Sequence, residues 1–224
     1  MTYGEGMELS TAVKQRRSVR GFLRDKPVEP QLLQQALELA QRAPSNCNVQ
    51  PWRVFIASGA RRDQLSQELM AAAEQRGGFG QVTETFAGEY RFLQVQCAVA
   101  LYSKLGVARD DRAGRKAAFL RNYAFFDAPH VAFIGMDKSF GIGVALDVGI
   151  YLQTLLLALW ERGVASCAQA ALKRYDDVTR RVLGIGDELQ ILCGVSFGYE
   201  DPEHPANACS QARQPISKNV TLLE

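Results

Sequence analysis

Two histidines in a chain of 224 residues leave little material for imidazole chemistry. His130 opens an apolar run that reads as a strand, and His204 lies in a proline-rich tail. No Gly-x-Ser-x-Gly turn is present to offer a serine to either of them, so a hydrolytic triad is excluded. Metal-assisted hydrolysis fails for the same shortage of ligands. The five cysteines, Cys47, Cys97, Cys167, Cys193 and Cys209, contain no C-x-x-C pair. Their odd number and wide scatter argue against a disulfide framework or a zinc site and for reduced thiols in a cytoplasmic protein. No long Lys/Arg block accompanies the net charge of +2, so neither a nucleic acid nor a membrane surface is an expected partner. The opening MTYGEGMELS lacks the basic-then-apolar order of a secretory signal. A third glycine is missing after Gly141-Ile142-Gly143, and no acidic residue follows about twenty positions on at the end of a second strand. A dinucleotide fingerprint is therefore incomplete.

What the chain does have is a long apolar helix, predicted from Val144 to Arg162. Leu146, Ile150, Leu152, Leu155, Leu156, Leu157, Leu159 and Trp160 are too many for one helical stripe, so the helix must be covered on most sides. Asp147, Gln153, Glu161 and Arg162 cut the apolar run below the ~20 residues a membrane span needs. Gly163 stands where a C-terminal glycine stops a helix. This pattern predicts the central helix of a homodimer. At 47% hydrophobic and 22% charged residues the composition is that of a globular protein, and the length is most economically a single domain, residues 1–224.

Around that helix, periodicity predicts helices over residues 8–16, from Pro30 to before Pro44, over 61–76, within 103–126 and over 173–183. Strands are predicted at Trp52–Ala57, Val95–Tyr102, His130–Met136 and Gln190–Tyr199, with residues 79–92 irregular. A sheet flanked by helices follows. The tail from Asp201, with Pro202, Pro205 and Pro215, has no core of its own and is expected to wrap a partner subunit.

One cluster has the chemistry of an anion site. Arg16, Arg17 and Arg20 fall within five residues, with Ser18 among them. A phosphate is held best by planar guanidinium forks and a hydroxyl in one place. Each such charge-assisted bond is worth about 1.5–3 kcal/mol.

Five segments, in order, carry a resemblance: RRSVR near the start, APSNCNVQPW near residue 50, DVGIYLQTLLLA, GVASCAQAAL, and GYEDPEHPAN with a following arginine. From about residue 8 to the end the chain resembles the FMN-dependent nitroreductase family. The resemblance implies an α+β fold with a mixed, mainly antiparallel sheet flanked by helices. It also implies a domain-swapped-like homodimer with FMN bound between the subunits. Arg16, Arg17 and Ser18 match positions that bind the phosphate and ribityl chain, and Arg213 matches the C-terminal phosphate arginine. Arg20 matches the basic residue at the pyrimidine edge of the flavin, where a fixed cation favours the reduced, anionic ring. Pro44, Ser45, Asn46 and Asn48 match the loop that reaches the flavin from the other subunit. Ala168, Gln169 and Ala170 match the segment along the ring's other side. The ligand of the flavin's far edge is not placed within residues 60–92. Two departures stand out: Gln211 replaces a second basic residue before Arg213, and the turn after the central helix reads Gly163-Val164-Ala165.

The activity implied is ping-pong hydride transfer from NADH or NADPH through FMN to a small nitroaromatic or quinone acceptor, with no catalytic side chain required. The alternatives are a flavin-storage protein without pyridine-nucleotide turnover and a specialised family chemistry such as dehalogenation. Tyr123, Phe125 and Phe126 are candidates to line the acceptor pocket, with core packing expected for at least one. The basic stretch Arg109–Lys116 is a candidate for attracting an anionic acceptor, against the simpler reading of a solvated helix face.

Overall fold

A computed structural model describes residues 7–80 and 86–223. Four strands, β1 (Arg53–Ser58), β2 (His130–Asp137), β3 (Ala165–Gln169) and β4 (Leu189–Gly198), form one sheet in the order β1-β2-β4-β3. Every neighbouring pair is antiparallel, so β2 and β3 run parallel with β4 between them. Among the described residues the only parallel pairing is a single bridge between Ser18 and Ser166. This arrangement also disposes of the dinucleotide fold, which needs parallel neighbours.

Helices cover both faces. On one side α2 (Pro30–Ala40) and α6 (Ile142–Glu161) pack over Ala132, Ile134 and Met136. On the other, α3 (Gly59–Gln75) and α7 (Asp176–Leu183) pack over Val131 and Phe133. Because both faces of β2 are buried, its sequence is a continuous apolar run rather than an alternating one. The remaining helices are α1 (Leu9–Gln15), α4 (Gly88–Lys104), α5 (Arg112–Leu120) and α8 (Ile216–Asn219).

The helix at the centre forms as predicted. Gly163, at φ 72°, takes the left-handed position after it. Its N–H bonds to Trp160 O at 2.9 Å and the Val164 N–H to Leu159 O at 3.0 Å, the paired bonds of a glycine-terminated helix. By length and composition alone α6 would be long and apolar enough to cross a membrane. Within the fold Val148, Tyr151, Leu155 and Leu159 are buried, whereas Ile142 and Leu146 are 91% and 67% exposed. One face of an apolar helix is thus left uncovered by its own chain.

Three expectations are corrected. Val95–Tyr102 is not a strand but lies in the C-terminal half of α4, and β3 is an additional strand that the sequence pattern does not predict. The helical stretch expected over 103–126 is instead the end of α4, a loop, α5 and a tight turn. Asp111 starts α5, its carboxylate accepting the Gly114 N–H at 2.8 Å. Tyr123, Phe125 and Phe126 are all core residues, at most 5% exposed, so none is free to line an acceptor pocket.

The tight turn is unusual. Phe125, Phe126 and Asp127 have φ of 57°, 55° and 69°, a run of left-handed non-glycine residues. Each costs roughly 1–2 kcal/mol in isolation. Arg62, 3% exposed, holds the turn from inside. Its Nε donates to Ala128 O at 2.9 Å and its Nη2 to Ala124 O at 2.6 Å, with the guanidinium over the Phe125 ring. Asp127 pairs with Arg121 at 3.0 Å. The turn in turn presents Phe126 O to the Phe22 N–H at 3.1 Å, and so fixes the segment that follows Arg20.

Candidate functional site

β3 is an edge strand, and the chain after α1 runs along its open side. Val19 N–H bonds to Ser166 O at 3.1 Å beside the Ser18–Ser166 bridge. This anchoring sets Arg16, Ser18 and Arg20 around Cys167 on β3. Burial pushes the Cys167 thiol up, opposed by the charge of Arg20, a hydrogen bond with Ser18 and the charge of Arg16. Arg16 is half-buried, and its pKa is lowered by that burial and then by the charge of Arg213. Two guanidinium groups from opposite ends of the chain therefore lie within electrostatic reach of each other. No carboxylate of the described residues is paired with either. A like-charge pair without a counter-ion is a donor set suited to an anion with several oxygens.

Arg17 behaves differently. It is bonded to Glu200 in an ion pair and lies over the Trp160 ring at 5.5 Å, which ties α6 to the segment after β4. Arg213 donates to Gln211 O at 2.9 Å and remains exposed. Gln211, the departure from the family pattern, reaches α4: its Nε2 donates to Cys97 O at 3.3 Å.

The 168–170 segment presents backbone rather than side chains. Ala168 and Ala170 are exposed, while the Gln169 side chain is buried. Gln169 donates to Asn122 O at 3.1 Å and accepts from the Ser196 hydroxyl. Small exposed side chains thus flank a buried one at the end of β3.

The Pro44–Asn48 loop is not joined to this cluster within one chain. Its bonds run to α6, where the buried Asp147 carboxylate accepts the Asn46 N–H at 3.1 Å, and to itself, where Ser45 Oγ accepts the Gln50 N–H at 3.0 Å. Cys47, Asn48 and Gln50 have φ of 48°, 57° and 49°. Such backbone conformations persist only where surroundings enforce them, and they recur at ligand clamps. Residues 81–85, part of the stretch in which the far-edge ligand was left unplaced, lie outside the described residues.

His130 is a structural residue, as its place at the start of β2 implied. Its Nε2 accepts the Val28 N–H at 2.9 Å and its Nδ1 bonds Ser58 Oγ at 2.5 Å, while burial lowers its pKa. Asp147, Glu200 and Asn207 were not singled out from the sequence. All three lie inside the motif segments, but only their contacts distinguish them from their neighbours.

Sheet, helical layers and a group of arginines beside an edge strand define the architecture, an α+β protein whose sheet edge carries Arg16, Arg17 and Arg20. The chain belongs to the nitroreductase family, whose model matches residues 13–199. It is 38% identical over 211 residues to the nitroreductase NfnB of Mycolicibacterium smegmatis, covering 93% of this chain and 89% of that protein. It is 32% identical over 218 residues to a 4-nitrobenzoate reductase of Nocardioides sp., covering 94% and 88%. Among solved structures, the FMN and NADPH-dependent nitroreductase NfnB of Sphigopyxis sp. superimposes with a TM-score of 0.91 at 35% identity, covering 97% of this chain and all of that one.

Proposed function

We propose that two copies of this chain enclose FMN and use it to pass hydride from NADH or NADPH to a small nitroaromatic or quinone acceptor. The observation that carries the reading is that Arg16 and Arg213, from opposite ends of the chain, lie within electrostatic reach of each other while neither is in an ion pair among the described residues. Arg16, Arg213 and Ser18 bind the FMN phosphate and the adjoining ribityl chain, and Arg17 supports them through Glu200. Arg20 stands at the pyrimidine edge of the ring, where its charge stabilises the reduced form. The exposed backbone of Ala168–Ala170 lies along the ring's other side. Pro44, Ser45, Asn46 and Asn48 approach from the partner subunit, their loop tethered to α6 by Asp147.

FMN supplies the hydride chemistry when bound; the chain supplies binding, orientation and a fixed electrostatic field. No side-chain nucleophile or acid is needed, which accords with two histidines occupied in structural roles. Dimerisation is supported by the exposed apolar face of α6, by Leu9 and Val13 on α1, and by Ile216, Val220, Leu222 and Leu223 in the tail. These are the surfaces a second copy would cover. A cytoplasmic location is supported by five free thiols.

Anaerobic addition of NADH and of NADPH to the FMN-loaded protein tests the reading. Rapid bleaching of the flavin band near ~450 nm is expected. A flavin that binds but stays oxidised with both donors would place the protein among flavin carriers instead.

A further inference from the structure

The backbone of Arg20 and Gly21 is held on both flanking peptides by one side chain, that of Asn207. Arg20 N–H donates to Asn207 Oδ1 at 2.8 Å. Asn207 Nδ2 donates to Gly21 O at 2.8 Å and to Asp201 O at 2.9 Å. An N–H on one side and two carbonyls on the other leave only one orientation of the amide that satisfies all three partners. The side chain is 7% exposed, so water has little access to replace those bonds. From the opposite side Arg121 donates to Arg20 O at 3.2 Å.

The neighbouring N–H groups bond to main-chain carbonyls: Val19 to Ser166, Phe22 to Phe126 and Leu23 to Tyr199. Arg20 alone in this run has a side chain in place of a strand partner. That side chain belongs to the C-terminal segment, which also carries Arg213. The turn holding Asn207 also packs on Gly21. His204 packs so closely on Gly21 that a Cβ there would stand 2.2 Å from the His204 Cγ, and its Nδ1 accepts the Ala206 N–H at 3.2 Å.

We propose that Asn207 is a positioning residue for Arg20: its amide sets the Arg20 peptide in register with the arm bearing Arg213, and thereby aims the Arg20 guanidinium at the flavin. The inference rests on the placement of Arg20 at the pyrimidine edge. A fixed cation there favours the reduced flavin only if its distance is held, and a guanidinium on a loosened peptide is replaced in part by water. Asn207 touches no reacting atom; it acts through Arg20.

The test is the two-electron reduction potential of bound FMN in wild type, R20A, N207A and the double variant. Asn207→Ser is carried in parallel, since its small hydroxyl can recruit water should N207A yield no folded protein. R20A is expected to weaken binding of reduced relative to oxidised flavin about tenfold, about 30 mV for a two-electron couple. The Asn207 variants are expected to shift the potential in the same direction by a several-fold change in that ratio. The double variant is expected to shift it no further than R20A alone. In the flavin-free protein, hydrogen exchange at the Arg20 amide is expected to speed up at least tenfold in N207A or N207S. A potential unmoved by the Asn207 variants while R20A shifts it overturns the proposal, as does a shift that adds fully to that of R20A. A potential unmoved by R20A itself refutes the placement of Arg20, and the role of Asn207 with it.

Discussion

Replacing Arg16 by alanine should move stability and ligand binding in opposite directions. This guanidinium is half-buried, lies within electrostatic reach of Arg213 and is in no ion pair among the described residues, so without a bound anion its charge is disfavoured where it sits. Alanine relieves that burden, and the unfolding free energy without FMN is expected to stay level or rise by a few tenths of a kcal/mol, the repulsion being screened by solvent. With FMN the sign reverses. A charge-assisted phosphate bond is worth about 1.5–3 kcal/mol, so its loss weakens binding by roughly 10- to 150-fold. For the wild-type chain, FMN at about a hundred times its dissociation constant adds about 2.7 kcal/mol of stability. At the same concentration a variant binding about thirtyfold more weakly gains about 0.9 kcal/mol. Urea unfolding of both proteins with and without FMN measures all four quantities. An equal FMN increment in the two proteins, or a large loss of stability in the flavin-free variant, would show that Arg16 serves the fold and not the ligand.

Arg62→Met should destabilise the chain by about 1.5–4.5 kcal/mol in urea unfolding, because one buried and one part-buried carbonyl flanking the left-handed turn lose their donor; a loss below about 1 kcal/mol would mean the turn holds itself. His130 has its pKa lowered by burial, so the unfolded chain binds more protons in the window below about pH 6.5 and stability must fall as the pH drops through it. Thermal unfolding between pH 8 and pH 5 should show this fall, and H130N should flatten it; an unchanged slope would remove His130 as its source. His204, whose pKa is lowered chiefly by burial, adds to the fall with the same sign and remains in H130N. Leu146→Asp, on the uncovered face of α6, should sediment as a monomer where the wild-type chain is expected to sediment as a dimer, and a variant that still sediments as a dimer would move the proposed interface elsewhere.

The elements legible in the sequence are those whose pattern answers to the chain's own core. α2 carries Pro30 in its first turn and buries Ala36 and Ala40, and β2 is apolar because both of its faces are covered. Two elements were misread for opposite reasons. Ala165–Gln169 is made of small and polar residues with weak strand preference, and becomes a strand because β4 offers it an antiparallel edge. Val95–Tyr102 is rich in residues that favour strands, yet it lies in a helix none of whose residues is buried by this chain. Its apolar side chains, among them Phe92 at 61% and Val99 at 62% exposed, follow no single stripe, so helical periodicity was invisible. At the site, the arginines could be read from charge and spacing. The different surroundings of Arg16, within electrostatic reach of Arg213, and of Arg17, tied to Glu200, could not, because they depend on which residues of the C-terminal segment fold back onto them.

Sedimentation velocity of the FMN-loaded protein, followed through the flavin band near ~450 nm, reads cofactor and assembly in one trace. Flavin absorbance moving with a particle of twice the chain mass, at one FMN per chain, is the predicted result. Absorbance left behind with free FMN, or carried by a single chain, contradicts the account.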